Sequence, residues 1–230
     1  AGYTQSFGGG EMYLIKTDAN GNALWSKTYG GTYDNQARSV QQALDGGYII
    51  TGYTRYNVSP TYDEIDIYLV KTDSDGSIQW TKTFGKSPFG WSDGYFVQQT
   101  NDSGYIITGQ IDGLGEDIFL IKTSSDGTLQ WSKTYGGAGT QYVYAVHQTN
   151  DGGYVISGST DSFGSGQYDL YLLKTTSDGS LQWSKTFGGA GQELGFSGQQ
   201  TNDGGYIICG STDSFGAGLL DVYLVKVASD

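Results

Sequence analysis

The chain has 230 residues, of which 38 are Gly, 19 Tyr and 2 Pro, with 24 acidic against 12 basic side chains for a net charge of −12. Two prolines exclude a collagen-like array despite the glycine content, and an aromatic share of 14% excludes a chain too polar to bury a core. Nine of the twelve cations occupy two recurring positions, leaving Arg38, Arg55 and Lys86, so the basic face that nucleic acid or an anionic membrane surface requires cannot be assembled. No run of residues approaches the roughly 18 apolar positions of a membrane helix, so no membrane insertion is expected. Residues 1–10 carry neither the basic nor the apolar region of a signal peptide, and none is expected there. The lone Cys209 excludes an internal disulfide and a cysteine-based zinc site; at the end of an apolar strand it is expected to be buried and inert.

Taken in chain order, Gly2-Tyr-Thr4 reads as the end of a strand, and Met12–Lys16 alternates at strand period. An Asn20-Gly21 turn leads into a strand carrying Trp25. A Val40-Gln-Gln42 segment follows, then an Asp45-Gly46 turn and the Gly47-Tyr-Ile-Ile50 strand. The same four segments then recur. Trp25, Trp80, Trp131 and Trp183 are spaced by 55, 51 and 52 residues, and the lysines at 16, 71, 122, 174 and 226 by 55, 51, 52 and 52. The units run approximately over 12–65, 66–116, 117–168 and 169–220, with a partial unit at 221–230. No window shows a capped 3.6-residue period, so no helix is expected.

Four antiparallel strands in a repeat of about 52 residues predict an all-β chain, a β-propeller of four-stranded blades forming a single domain over 1–230. Four complete repeats plus a partial one admit four blades, five blades or an arc of a longer propeller. Trp25, Trp80, Trp131 and Trp183 are expected in the core between blades, because each can bury about 150–250 Å² there.

Segments such as Tyr68-Leu-Val-Lys-Thr-Asp-Ser-Asp-Gly-Ser-Ile-Gln-Trp80 and Asp203-Gly-Gly-Tyr-Ile-Ile207 resemble propeller-type repeats of secreted and cell-surface proteins of archaea and Bacteroidetes. The resemblance covers essentially the whole chain. The turn-then-Trp arrangement is also similar to quinoprotein-type repeats and, more distantly, to the Asp-box, from which it departs because Asp126 and Gly127 are adjacent with Trp131 four residues beyond. By this resemblance the Gln-Gln segment is the innermost strand A, Tyr-Ile strand B, Tyr-Leu strand C and Trp strand D. An extracellular or cell-surface location is what the resemblance implies.

Residues that recur are expected to be architectural; those that do not are candidates for function. The A-strand amides Gln42, Gln99, Gln148 and Gln200 are expected to line the channel, where they can hydrogen-bond but cannot act as acid and base. Loop aromatics and cations supply the candidate ligand-binding set Tyr33, Arg38, Arg55, Tyr56, Tyr62, Trp91, Tyr95, Tyr142 and Tyr144, with Phe89 nearby, while Phe163 and Phe215 sit in matching Asp-Ser-Phe-Gly loops. His147 lacks a companion ligand. Asp63, Glu64 and Asp66 form the densest acid group and are the candidate ligands should calcium bind; no other cofactor is expected. The expected function is a non-catalytic extracellular module binding a glycan or a surface protein. One alternative is a carbohydrate-active hydrolase using Asp34, Asp93 and Glu193. Another is a structural repeat that self-associates through an unpaired edge strand.

Overall fold

Eighteen strands form five antiparallel sheets in a computed structural model that describes residues 1–4, 10–31, 33–59, 62–85, 91–112 and 116–229, with only the backbone described at 57–59, 62 and 112. Sheet 1 contains β1 (Gly2–Thr4), β2 (Glu11–Thr17) and β3 (Ala23–Tyr29). Sheet 2 contains β4 (Asp34–Gln42), β5 (Tyr48–Ser59), β6 (Tyr62–Thr72) and β7 (Ile78–Phe84). Sheet 3 contains β8 (Ser92–Gln99), β9 (Tyr105–Asp112), β10 (Glu116–Thr123) and β11 (Leu129–Tyr135). Sheet 4 contains β12 (Gln141–Gln148), β13 (Tyr154–Thr160), β14 (Asp169–Thr175) and β15 (Leu181–Phe187). Sheet 5 contains β16 (Glu193–Gln200), β17 (Tyr206–Thr212) and β18 (Asp221–Val227). No helix occurs among the described residues.

Within each full sheet the order is Gln-Gln, Tyr-Ile, Tyr-Leu, Trp, each strand paired with its sequence neighbour. The sheets are offset from the sequence units, so one unit gives its Tyr-Leu and Trp strands to one sheet and its next two strands to the following sheet. Two tight turns close one end of every full sheet. In the Asp73–Ser77 turn, Gly76 adopts φ of +78° and donates to the Asp73 carbonyl at 3.1 Å, a left-handed conformation that strains any residue with a Cβ.

The recurring lysine fastens these two turns together. Lys71 Nζ donates to Asp45 Oδ2 at 2.6 Å, to the Thr72 carbonyl at 2.8 Å and to Gln79 Oε1 at 2.9 Å, and Lys122 and Lys174 use Asp102 and Asp151 in the same way. The lysine side chains are buried while their aspartate partners are half-exposed, so each carboxylate compensates a cation that has little water of its own. Lys71 holds the Asp45 carboxyl below its usual range. Asp151, against partial burial, is held at about 2 by Lys174, Thr149 and the Gly153 N–H. Because the folded-state values are depressed, this stabilisation is present above the unfolded value near 3.8 and is lost as pH falls toward 2. Acid titration of stability in wild type and Asp151→Asn should therefore show a shallower loss between about pH 4 and 2 in the variant.

The core lies between successive sheets rather than within any one of them. Met12 and Leu14 of sheet 1 meet Ile50 and Val70 of sheet 2. Ile49, Ile67 and Leu69 of sheet 2 meet Val97, Tyr105 and Ile107 of sheet 3. Ile118 and Leu120 of sheet 3 meet Val146, Tyr154 and Ile156 of sheet 4. Leu170 and Leu172 of sheet 4 meet Tyr206, Ile208 and Val227 of sheet 5. The repeat tryptophans stand at these interfaces, half-buried, each edge-on to the B-strand tyrosine of the next sheet. Centroid distances are 5.7 Å for Trp25–Tyr48, 5.8 Å for Trp80–Tyr105, 5.9 Å for Trp131–Tyr154 and 5.3 Å for Trp183–Tyr206.

The far face of sheet 5 is uncovered. Val222 is 87% exposed and Leu224 62%, whereas Leu170 and Leu172 at the same repeat positions are fully buried. This overturns the expectation for Cys209, which is exposed because it shares that face; Thr51, Thr108 and Ser157 at the equivalent position lie beneath the following sheet. Cys209 should react with a thiol reagent in the native chain as fast as in urea, a comparison that a simple colorimetric assay makes.

Candidate functional site

The end of the sheets opposite the tight turns carries the side chains that do not recur. Each Gln-Gln strand there has a β-bulge, seen as a register shift at 37/39 in β4, 94/96 in β8, 143/145 in β12 and 195/197 in β16. The skipped residues are Arg38, Tyr95, Tyr144 and Phe196. A bulged residue leaves the ladder unpaired and its side chain is re-aimed. The bulge in β8 is accommodated by Gly94 facing Gly109, since a methyl on Gly109 would stand 2.1 Å from the Asp93 carbonyl oxygen.

These side chains meet across the sheets. Arg38 lies over the rings of Tyr53 and Tyr95, at 5.5 and 5.8 Å from their centroids, and Tyr144 is edge-on to Phe196 at 5.3 Å. Arg38 donates to Asp93 Oδ2 through Nε at 3.2 Å and Nη2 at 2.9 Å. Asp93 is 1% exposed, and burial pushes its carboxyl up while Arg38 opposes the shift. Next to this pair, Gln110 donates to Glu116 Oε2 at 2.9 Å and to the Gln141 carbonyl at 3.0 Å. Arg38, Trp91, Tyr95, Gln110, Glu116, Tyr142 and Tyr144 together enclose a cleft of about 400 Å³. Its floor and walls come from sheets 2, 3 and 4.

Tyrosine hydroxyls in the cleft remain protonated. Tyr95 is pushed upward by burial and by the negative charge of Asp93 and Glu116, and Tyr142, bonded to Tyr168, is pushed up to about 12. They therefore donate as well as accept hydrogen bonds at neutral pH. Such a cleft can stack a ring, bond its hydroxyls and exclude water. The ion pair ties up Asp93, leaving Glu116 as the carboxylate of the lining.

Five sequence candidates thus come together: Arg38, Trp91, Tyr95, Tyr142 and Tyr144. Tyr33, Arg55 and Tyr56 lie elsewhere, around the long β5–β6 hairpin, where Tyr33 and Tyr56 are 5.8 Å apart and Tyr56 donates to Asp66 at 2.7 Å. The Tyr62 side chain, Phe89 and Lys86 lie outside the described residues. Phe163 and Phe215 pack in matching fashion on Tyr171 and Tyr223. His147 packs edge-on to Phe96, and burial lowers its pKa. Sequence reasoning missed Gln110 and Glu116. A signal existed, since Gln110 replaces Tyr53, Ser159 and Ser211 at one repeat position.

The remaining candidates are engaged in the scaffold. Gln42, Gln99, Gln148 and Gln200 donate to turn carbonyls of Gly46, Ser103, Gly152 and Gly204. The carbonyls of the last three accept from Leu44, Asn101 and Asn150 in the preceding sheet, so these amides lace neighbouring sheets together. Asp63 pairs with Arg55, and no group of three or more His, Cys, Asp or Glu among the described residues is placed to hold a metal ion. Asp34 accepts from Tyr53 at 3.5 Å, whereas Glu193 is buried against Thr212 at 2.6 Å and Gly189 at 2.8 Å. Asp93 and Glu193 are therefore committed to different neighbours. A wider depression of about 620 Å³ beside sheet 5 is lined by Gly189, Ala190, Gly191 and the 213–219 loop, but Ser214 and Asp213 already accept from Gly191 and Gln192 there.

No family model and no curated protein sequence matches the chain. Among solved structures it is similar to a protein of unknown function from Dyadobacter fermentans, with a TM-score of 0.65 at 10% identity over 98% of this chain and 66% of the other. A weaker similarity, TM-score 0.48 at 15% identity over 85% of this chain and 68% of the other, is to a candidate exo-beta-1,3-galactanase from Bifidobacterium bifidum s17. The first of these supports the all-β repeated fold, and the chain spans just under two thirds of that protein's length.

Proposed function

We propose that the five sheets are blades of a β-propeller arc and that the chain is a non-catalytic, extracellular binding module whose ligand is a glycan. The propeller reading is supported by three four-stranded sheets, flanked by two three-stranded ones, packed face to face in sequence order. A cell-surface location follows the resemblance of the repeats to secreted and cell-surface propeller proteins.

The observation that carries the binding reading is the convergence of Trp91, Tyr95, Tyr142 and Tyr144 with Gln110 and Arg38 around one cleft. Aromatic faces beside amide and hydroxyl groups match the apolar faces and hydroxyl edges of a sugar ring. A broad glycan-array screen of the purified chain, run with calcium and with chelator, tests it. Reproducible binding unaffected by chelator is the expected result. A blank array would move the function to a protein-binding or structural surface repeat, and chelator-sensitive binding would return attention to Asp63, Glu64 and Asp66.

A further inference from the structure

The cleft is not electrically balanced. Arg38 and Asp93 neutralise one another through two hydrogen bonds to one carboxylate oxygen. Glu116, by contrast, accepts the neutral Gln110 amide on Oε2, and among the described residues no lysine or arginine forms an ion pair with it. The walls around it are Trp91, Tyr95, Tyr142 and Tyr144, whose ring faces carry negative electrostatic potential. The Glu116 charge is felt by its neighbours, contributing to the upward displacement of both Tyr95 and Tyr142. An anionic ligand would meet this carboxylate and a protein of net charge −12 with the cleft's one arginine already paired. A neutral sugar would use the rings and leave Glu116 uncompensated. A cation beside a sugar ring would use both, through the carboxylate and through cation–π attraction.

We infer that the cleft selects an amino sugar, with its protonated amine directed at Glu116 and its ring against the aromatic walls. This rests on the reading of the cleft as a glycan site and narrows it to one chemical class.

The test is calorimetric titration of the intact chain with three β-1,4-linked tetrasaccharides, of glucosamine, N-acetylglucosamine and glucose, in about 0.15 M salt. The expected result is that the glucosamine oligomer binds about tenfold more tightly than the acetylated and neutral ones. In Glu116→Gln that ratio should fall to near one. The variant changes the overall charge by a single unit, so general attraction of a polycation to an acidic protein would survive it. Equal binding of all three oligomers overturns the amino-sugar inference while leaving the glycan reading intact, as does a preference that persists in E116Q. Absence of binding by all three overturns the amino-sugar inference, and removes the glycan reading as well only when the array is also blank. Were E116Q to lose its fold, Trp91→Ala decides: it leaves every charge in place, so weakened binding of the glucosamine oligomer assigns that binding to the cleft, and unweakened binding is general attraction and overturns the inference.

Discussion

Leu120→Ala should destabilise the chain by about 3 kcal/mol, while Leu224→Ala, at the same position of the repeat, should change stability by no more than about 0.5 kcal/mol. Both residues lie in corresponding strands and present the same side chain in the same alternating pattern, Ile118-Phe-Leu-Ile-Lys122 and Val222-Tyr-Leu-Val-Lys226. Leu120 is fully buried between sheets 3 and 4, so truncation removes about three methylene equivalents of buried surface and leaves a cavity; Leu224 is 62% exposed on the uncovered face of sheet 5. Urea unfolding followed by tryptophan fluorescence measures the difference. Equal losses would mean that the face of sheet 5 is covered in solution, which a measurement of molecular mass would then confirm.

The second large effect separates binding from folding. Trp91→Ala should weaken binding of a cleft ligand by about thirtyfold, the loss typical of a central aromatic anchor, with stability altered by less than about 1 kcal/mol. Trp91 borders the cleft, precedes β8 and, among the described residues, pairs its backbone through an isolated bridge to Ile65 of β6. Trp131→Ala should do the reverse. It removes the edge-on contact with Tyr154 and the wall against which Gly179 packs, at a cost of about 2–3 kcal/mol, below the value for a fully buried tryptophan because its ring is half-exposed. Thermal unfolding and glycan titration of the two variants form one experiment. Loss of stability in both would place Trp91 in the scaffold and remove it from the site.

The acid response combines opposing contributions. The Asp45, Asp102 and Asp151 carboxylates, paired with buried lysines, lose their stabilisation as pH falls. Asp93 and Asp169 run the other way: burial raises both, so the folded state is favoured more strongly once they are protonated.

The sequence by itself determined the strands and the turns, and their order within a sheet came with the resemblance of the repeats to propeller proteins. Each strand has a period of two, and each turn has an Asp-Gly or equivalent pair, so the information is local and repeats every 51 to 55 residues. The sequence also singled out Arg38, Trp91, Tyr95, Tyr142 and Tyr144, because departure from a repeat is visible without coordinates. Only the tertiary structure brought these five to one cleft and sent Tyr33, Arg55 and Tyr56 to another place, since proximity across sheets depends on packing between blocks far apart in the chain. It also decided the environments of chemically identical positions. Cys209 shares its local pattern with Thr51, Thr108 and Ser157, yet is exposed because burial is conferred by the next sheet and not by the strand that bears the residue. The bulges belong to the same category. A register shift is a relation between two strands, so the row of Arg38, Tyr95, Tyr144 and Phe196 becomes legible only when both are paired.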